Sequence, residues 1–373
     1  MKRVAIFIQG GVSYPKSVGH VPVLESLFRQ LSLANDIVVY TTSPHPNTAG
    51  TFKCGNATVR QIDACYNDSA VKKITAYLRN FRKDHATKPF DLLHGFWALP
   101  GGFLATTLGR ITRLPSVVSI WGGEPAAVRT IGYGSMLKPM SRIATLWTCN
   151  RATALTMLTQ FQYKGLRAHG LQRNDVRIIP CGVDTSIFRA IGSKPQAPPF
   201  NLLHVANLTE VKDQETLLKA FLIISRKIDT KLRIVGPDHL NGRIQNLARE
   251  LALSDKIEFP GLIDNGRLPE HYSWAHVMLH TSLYEGQPIV VSEAAACGTA
   301  TCGTRVGLIA DLENKCTVAV DVHDHEGLAK KVLDVLHAPD CLKPLQENAR
   351  AWAVDHDINW TAKQFNQLYD RLL

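Results

Sequence analysis

Short runs of apolar residues recur along the chain at spacings that leave room for a helix between them. Val4–Ile8, Ile37–Thr41, Leu92–His94 and Ser116–Ile120 form a first series. Leu202–Val205, Leu232–Val235, Lys256–Phe259, Val277–His280 and Thr317–Val320 form a second. Strand-type runs that alternate with helical patterns predict parallel α/β sheets, here two of them. Between the series, Val176–Phe188 reads as a strand ending in a turn at Pro180–Asp184. The Pro- and Gly-rich stretch Gly192–Pro199 places the join near residue 195. The chain ends in Asn359–Leu373, where Trp360, Phe365, Leu368, Tyr369 and Leu372 fall close to helical spacing and predict a packing helix.

The densest chemistry lies in Leu283–Gly298, which carries two carboxylates, Glu285 and Glu293, around a helix start. Pro288 has no backbone donor and a φ fixed near the helical value, so it suits the first helical position, and Gly298 supplies a left-handed stop after Ile289–Cys297. Glu285 then falls in the loop before the helix, beside free backbone N–H groups that attract anions and hydroxyl oxygens. Glu293 sits inside the helix among Val290, Val291 and Ala294–Ala296. Burying a carboxylate there costs several kcal/mol unless strong donors meet it, and a ribose diol is one such donor. Were the whole stretch helical, the two α-carbons would stand about 12 Å apart, which does not point to the acid/base pair of a glycosidase, whose carboxyls lie about 5 to 9.5 Å apart. The residues alone leave open a second reading, a solvated loop acid and the polar stripe of a surface helix.

Length and composition narrow the class. At 373 residues with 45% hydrophobic and 20% charged positions, the prior is two globular domains. The apolar run after Met1 ends at Gln9–Gly11, too short for a signal sequence, and no window approaches a membrane span. A soluble or at most peripheral protein follows, and eight scattered cysteines without a C-x-x-C pair place it in a reducing compartment, the cytoplasm. The formal charge of +10 favours anionic partners: nucleic acid, an acidic membrane surface, acidic glycans or nucleotide diphosphates. No run of five basic residues and no nucleic-acid-binding signature is present, which argues against a dedicated nucleic-acid protein.

Six segments in order carry a resemblance: Gln9–Gly11 with Gly19 and His20, Asp91–His94 with Leu99–Gly102, Ile178–Asp184, Val205–Lys212, Leu232–Gly236, and Glu285 with Glu293 as an E-x7-E pair. Together they resemble glycosyltransferase family 4, retaining enzymes of the GT-B fold with two Rossmann-like domains facing each other across a cleft. The resemblance implies an acceptor-binding domain over 1–190, a nucleotide-sugar domain over 191–355, and a helix over 356–373 returning to the first. It assigns Glu293 to the ribose hydroxyls, Glu285 to the donor sugar or reacting centre, and Lys212 to the diphosphate, where a cation offsets charge on the leaving group. Amides around Gly286, Gln287, Pro288 and Ile289 supplement it, Pro288 itself donating none, and Gly236 ends a matching strand. Gly19 would let the backbone approach the same diphosphate, a role for which Gly10 and Gly11 compete. His94, expected at a strand end, is read as a contact to acceptor or donor, with a structural histidine as the alternative.

Two positions depart from the family pattern. Asn207 stands where many members have an Arg that helps bind the diphosphate, and Trp121 where many have a His near the donor sugar. Arg305 is a candidate to restore the charge. The function implied is transfer of a UDP- or GDP-linked hexose or N-acetylhexosamine to a glycan, lipid-linked glycan or small acceptor, in cell-surface polysaccharide or glycoconjugate synthesis. Neither a metal nor another cofactor is expected, nor a nucleic-acid partner, and a peripheral contact with the cytoplasmic membrane face is compatible. The competing readings are a nucleotide-sugar epimerase on the same architecture and a degenerate nucleotide-binding homologue.

Overall fold

A computed structural model describes residues 1–12, 21–43, 45, 48–65 and 67–373. Contacts divide the chain into two compact units.

The first unit comprises Met1–Ala127, Gly134–Cys181 and Ile358–Leu373. Its strands are β1 (Lys2–Phe7), β2 (Asn35–Ser43), β3 (Gly50–Cys54), β4 (Ala57–Cys65), β5 (Leu92–Phe96), β6 (Ser116–Ile120), β7 (Ala154–Met157) and β8 (Val176–Ile178). They lie in the order β3-β4-β2-β1-β5-β6-β7-β8, all neighbours parallel except the β3–β4 hairpin. Helices between successive strands bury aromatic faces against the sheet: Tyr77 and Phe81 join Phe7, Tyr40 and Phe90 in one core, with Phe7 and Tyr40 stacked 5.3 Å apart. The buried Asp84 is satisfied there by the Tyr40 hydroxyl (2.8 Å) and the fork of Arg60, so its burial needs no further partner.

The helix Ile358–Leu372 belongs to this unit, burying Ile358, Ala362, Phe365, Leu368 and Tyr369. The spacing of those residues is that of one helical face. Asn35 ties it down by donating to Asn366 Oδ1 at 2.7 Å.

The second unit comprises Val128–Tyr133 and Gly182–Asp357, so the Pro-rich stretch around residue 195 lies inside it rather than at the join. Its strands are β9 (Phe200–Val205), β10 (Thr230–Val235), β11 (Ile257–Gly261), β12 (Val277–His280), β13 (Ala300–Thr304) and β14 (Thr317–Val320). The order is β11-β10-β9-β12-β13-β14, every neighbour parallel. Apolar clusters cover both faces, one around Leu217, Phe221, Val332 and Leu336, the other around Tyr272, Val291 and Ile309. Continuous apolar strands are what burial on both sides demands.

Strand order reverses between β9 and β12, and a doubly wound sheet opens a ligand crevice at the carboxyl ends of its strands at such a point. The two strands pair only at Leu202–Val277 and Leu203–Met278. Beyond those pairs the next stretches of chain, Ala206–Lys212 and Thr281–Pro288, line the carboxyl edge.

Candidate functional site

Both predicted acids and the predicted lysine converge on this edge of the second unit. After β9 the chain runs through a 3-10 turn, Glu210–Lys212, into the helix Gln214–Ser225. Asp213 caps that helix, accepting from Thr216 N at 3.3 Å and Thr216 Oγ1 at 2.7 Å. The turn is fastened to the loop after β12 by Leu283 N on Val211 O (2.8 Å) and Thr281 Oγ1 on Lys212 O (3.0 Å). These backbone ties hold Lys212 against Glu285, and the ammonium donates to Glu285 Oε1.

Two residues that the sequence reading did not single out complete the cluster. The Ser282 hydroxyl donates to Glu285 Oε1 at 2.8 Å, and His280 Nε2 lies 3.2 Å from the same oxygen. His280 is fully buried and its Nδ1 has no hydrogen-bond partner among the described residues, so the proton belongs on Nε2, which donates to Glu285. Burial lowers the His280 imidazole, although Glu285 pulls the other way. Burial also pushes Glu285 up, but Lys212 and His280 outweigh it and hold the carboxyl well below the ordinary range. Glu285 is therefore an anion beside a cation, only 14% exposed at its side chain. The signal available in sequence was position: His280 ends a strand and Ser282 follows it, at the edge where α/β sheets place ligands.

Glu293 sits in the helix Ile289–Ala296, buried, its Oε2 accepting from the Tyr272 hydroxyl at 2.6 Å. Burial raises its carboxyl to about 7, with Tyr272 acting in the opposite direction. One hydroxyl thus meets a carboxylate that has room for several, which fits a group awaiting further donors. Pro288 is the cap residue of this helix, one position earlier than expected, and Ile289 is its first residue. Gly286, Gln287 and Pro288 are buried in the preceding loop, Gln287 donating to Ser292 Oγ at 3.1 Å.

Gly236 follows β10 directly with φ +140°, and a Cβ there would stand 2.0 Å from Ala206 O; only glycine lets the two loops approach. Asn207 is exposed, and its carbonyl accepts from Gln214 at 3.1 Å. Arg305 is engaged with Glu313 and, at 3.4 Å, with Asp321, so the charge expected of it is already matched.

The remaining assignments fall in the first unit. Gly11 follows β1 with φ +84° and accepts from Val21 N at 2.7 Å. Gly19 lies outside the described residues. His94 corrects the expectation of a strand-end ligand contact: it is mid-strand in β5 and fully buried. Its Nδ1 meets the Tyr369 hydroxyl (2.6 Å) and its Nε2 the Ser119 hydroxyl (2.7 Å). Burial lowers it to about 3, so the ring is neutral and both nitrogens are used within the core. Trp121 packs edge-on against Phe96, ring centroids 5.0 Å apart. Among the described residues no group of three or more His, Cys, Asp or Glu is arranged to hold a metal ion.

Two sheets, parallel apart from the β3–β4 hairpin and each flanked by helices, with an acid–lysine cluster at a strand-order reversal, define an α/β protein of the GT-B class. The solved structures it resembles are of that class. Sucrose-phosphate synthase from Thermosynechococcus elongatus superposes over 100% of this chain and 99% of its own, with a TM-score of 0.82 at 19% identity. Anabaena HepE, solved with UDP and glucose, superposes over 100% of both chains with a TM-score of 0.75 at 14% identity. The family model for glycosyl transferases group 1 matches residues 188–352, and the glycosyl transferase 4-like domain matches 19–182. The chain belongs to glycosyltransferase family 4. Among curated relatives, the MMP alpha-(1->4)-mannosyltransferase of Mycolicibacterium hassiacum is 27% identical over 71% of this chain. The match spans 66% of that relative's length, just short of two thirds.

Proposed function

We propose that the chain is a retaining glycosyltransferase that moves a hexose or N-acetylhexosamine from a UDP- or GDP-linked donor to a glycan, lipid-linked glycan or small acceptor. The observation that carries this reading is the Lys212–Glu285 pair at the strand-order reversal, with buried Glu293 on the adjoining helix. Lys212 offers the donor diphosphate a cation that it now shares with Glu285, and charge growing on the leaving phosphate strengthens that contact as the glycosidic bond breaks. Glu285, kept ionised, accepts from sugar hydroxyls. Glu293 accepts from the ribose diol, and ribose hydroxyls that favour its ionised form release a proton near neutral pH. Retention follows if the departing phosphate takes the acceptor's proton on the face it leaves, with no separate base and no metal. The setting would be synthesis of cell-surface polysaccharide or glycoconjugate at the cytoplasmic side of the membrane.

Supplying UDP- and GDP-sugars with and without acceptors tests the assignment. Transfer in wild type, with kcat/KM lower by about 10²–10³ in Lys212→Ala, is the expected result. Undiminished turnover in Lys212→Ala would remove the phosphate role. An epimerised sugar from donor alone would make the chain an isomerase. Asn207 and Trp121 favour one further reading, a homologue that binds nucleotide without turnover, which no transfer across a broad acceptor panel would support.

A further inference from the structure

The helix Pro139–Arg151 of the first unit turns apolar side chains to solvent. Met140 is 78% exposed, Ile143 63% and Trp147 36%. With Arg151 they are spaced three, four and four residues apart, which sets all four on one face. Trp147 does not stand alone: Phe103, at the start of the neighbouring helix Phe103–Thr112, lies against it with ring centroids 5.3 Å apart. An indole with one edge on protein and the other wet is the geometry favoured at a lipid headgroup boundary.

Charge selects the partner. Between Leu92 and Asn174 the only acidic residue is Glu124, which is buried and accepts backbone N–H groups of Ala98 (3.0 Å) and Gly122 (2.7 Å). Over the same stretch Arg110, Arg113, Lys138, Arg151 and Lys164 are all exposed and none of them is in an ion pair among the described residues, while Arg142 is held by the His169 carbonyl at 3.0 Å. A protein partner of ordinary composition would face unanswered cations here. A surface that is apolar inside and anionic at its rim answers both features at once.

We propose that this face of the first unit docks on an anionic lipid bilayer, with Met140, Ile143 and Trp147 entering the headgroup boundary and Lys138 and Arg151 meeting lipid phosphates. The inference builds on the membrane-side acceptor of the proposed function by naming the surface that would bring the chain to it. Interfacial helices bury their apolar face about 5–10 Å into that boundary, within reach of side chains of this length.

The experiment is flotation of the full chain, without donor or acceptor, on phosphatidylcholine vesicles with and without about one third phosphatidylglycerol, a typical anionic fraction for such electrostatic binding. Binding to the anionic vesicles only, weakened by salt, is expected. Each cation near such a surface contributes about five-fold, so Lys138→Ala/Arg151→Ala should bind about 25-fold more weakly. Ile143→Ser/Trp147→Ser should also release the protein; its melting temperature should drop slightly, because Trp147 gives up its contact with Phe103, while transfer to a water-soluble acceptor stays unchanged. Equal flotation on neutral vesicles, no flotation, or unaltered binding by both variants would overturn the docking face and leave sugar transfer standing. A wild-type dimer in sedimentation that Ile143→Ser/Trp147→Ser converts to monomer would overturn it in favour of a second copy of the chain.

Discussion

Replacing Lys212 by Met keeps the aliphatic stem and removes the charge, leaving the Glu285 carboxylate without its cation. The two side chains are 22% and 14% exposed, so the pair is largely withdrawn from water. Breaking such a pair costs about 3–5 kcal/mol when the partner is fully stranded, and Glu285 retains Ser282 and His280, which places the expectation at about 2–3 kcal/mol. For a unit of this size about 2–4 °C accompanies each kcal/mol, so the melting temperature of the second unit should fall by about 5–10 °C at pH 7. The sign with pH follows from the carboxyl. In wild type its folded pKa lies below the ordinary 4.5, so the pair's contribution is present above pH 4.5 and is lost as pH falls through the folded value. In Lys212→Met burial prevails and the carboxyl moves up, so the penalty is greatest at neutral pH and shrinks on acidification. Lys212→Met/Glu285→Gln leaves no stranded charge and should recover most of the loss. Thermal melts at pH 7 and 5 read all three proteins. A single variant that melts with wild type at pH 7, or a double variant no more stable than the single, would refute the reasoning.

Two further outcomes follow from the buried ionisable groups. Glu293, raised from 4.5 to about 7, contributes stability that is full below pH 4.5 and lost as pH rises through 7. Glu293→Gln should therefore gain up to about 3 kcal/mol over wild type at pH 8 and almost nothing at pH 4, read by denaturant melts, while weakening nucleotide binding. His94→Ala should lose about 2–4 kcal/mol of stability, since it opens a cavity and strands the Tyr369 hydroxyl, Ser119 keeping Thr156, yet leave nucleotide affinity unchanged by calorimetry.

Much of this architecture was legible as apolar runs. Ser116–Ile120 and Val277–His280 are strands with the bounds the pattern implies, and Leu232–Val235 and Leu202–Val205 lie inside longer ones. Where strands were missed, the reason is local. The β3–β4 hairpin alternates instead of running apolar, and its Gly55–Asn56 turn was the available signal.

Within the site, Glu285 and Glu293 were legible through the helix signals around them, and Lys212 only through the family resemblance. Tyr272 was not: it reaches Glu293 from 21 residues upstream, through packing of two helices on one face of the sheet. His94 was misplaced because a histidine at the end of an apolar run reads like a strand-end ligand. Its actual partners, Tyr369 and Ser119, come from 275 and 25 residues away.

The central claim is that the carboxyl edge of the second sheet holds a nucleoside diphosphate by Lys212. A panel of nucleoside diphosphates screened by thermal shift selects the base, since a ligand at 100 times its Kd adds about 2.7 kcal/mol. Calorimetric titration of that diphosphate and its matching monophosphate into wild type and Lys212→Met then isolates the lysine. A charge-assisted hydrogen bond of about 1.5–3 kcal/mol predicts that the diphosphate binds about 10- to 100-fold more weakly to the variant, with the monophosphate little changed. Equal diphosphate affinity in the two proteins would contradict the account.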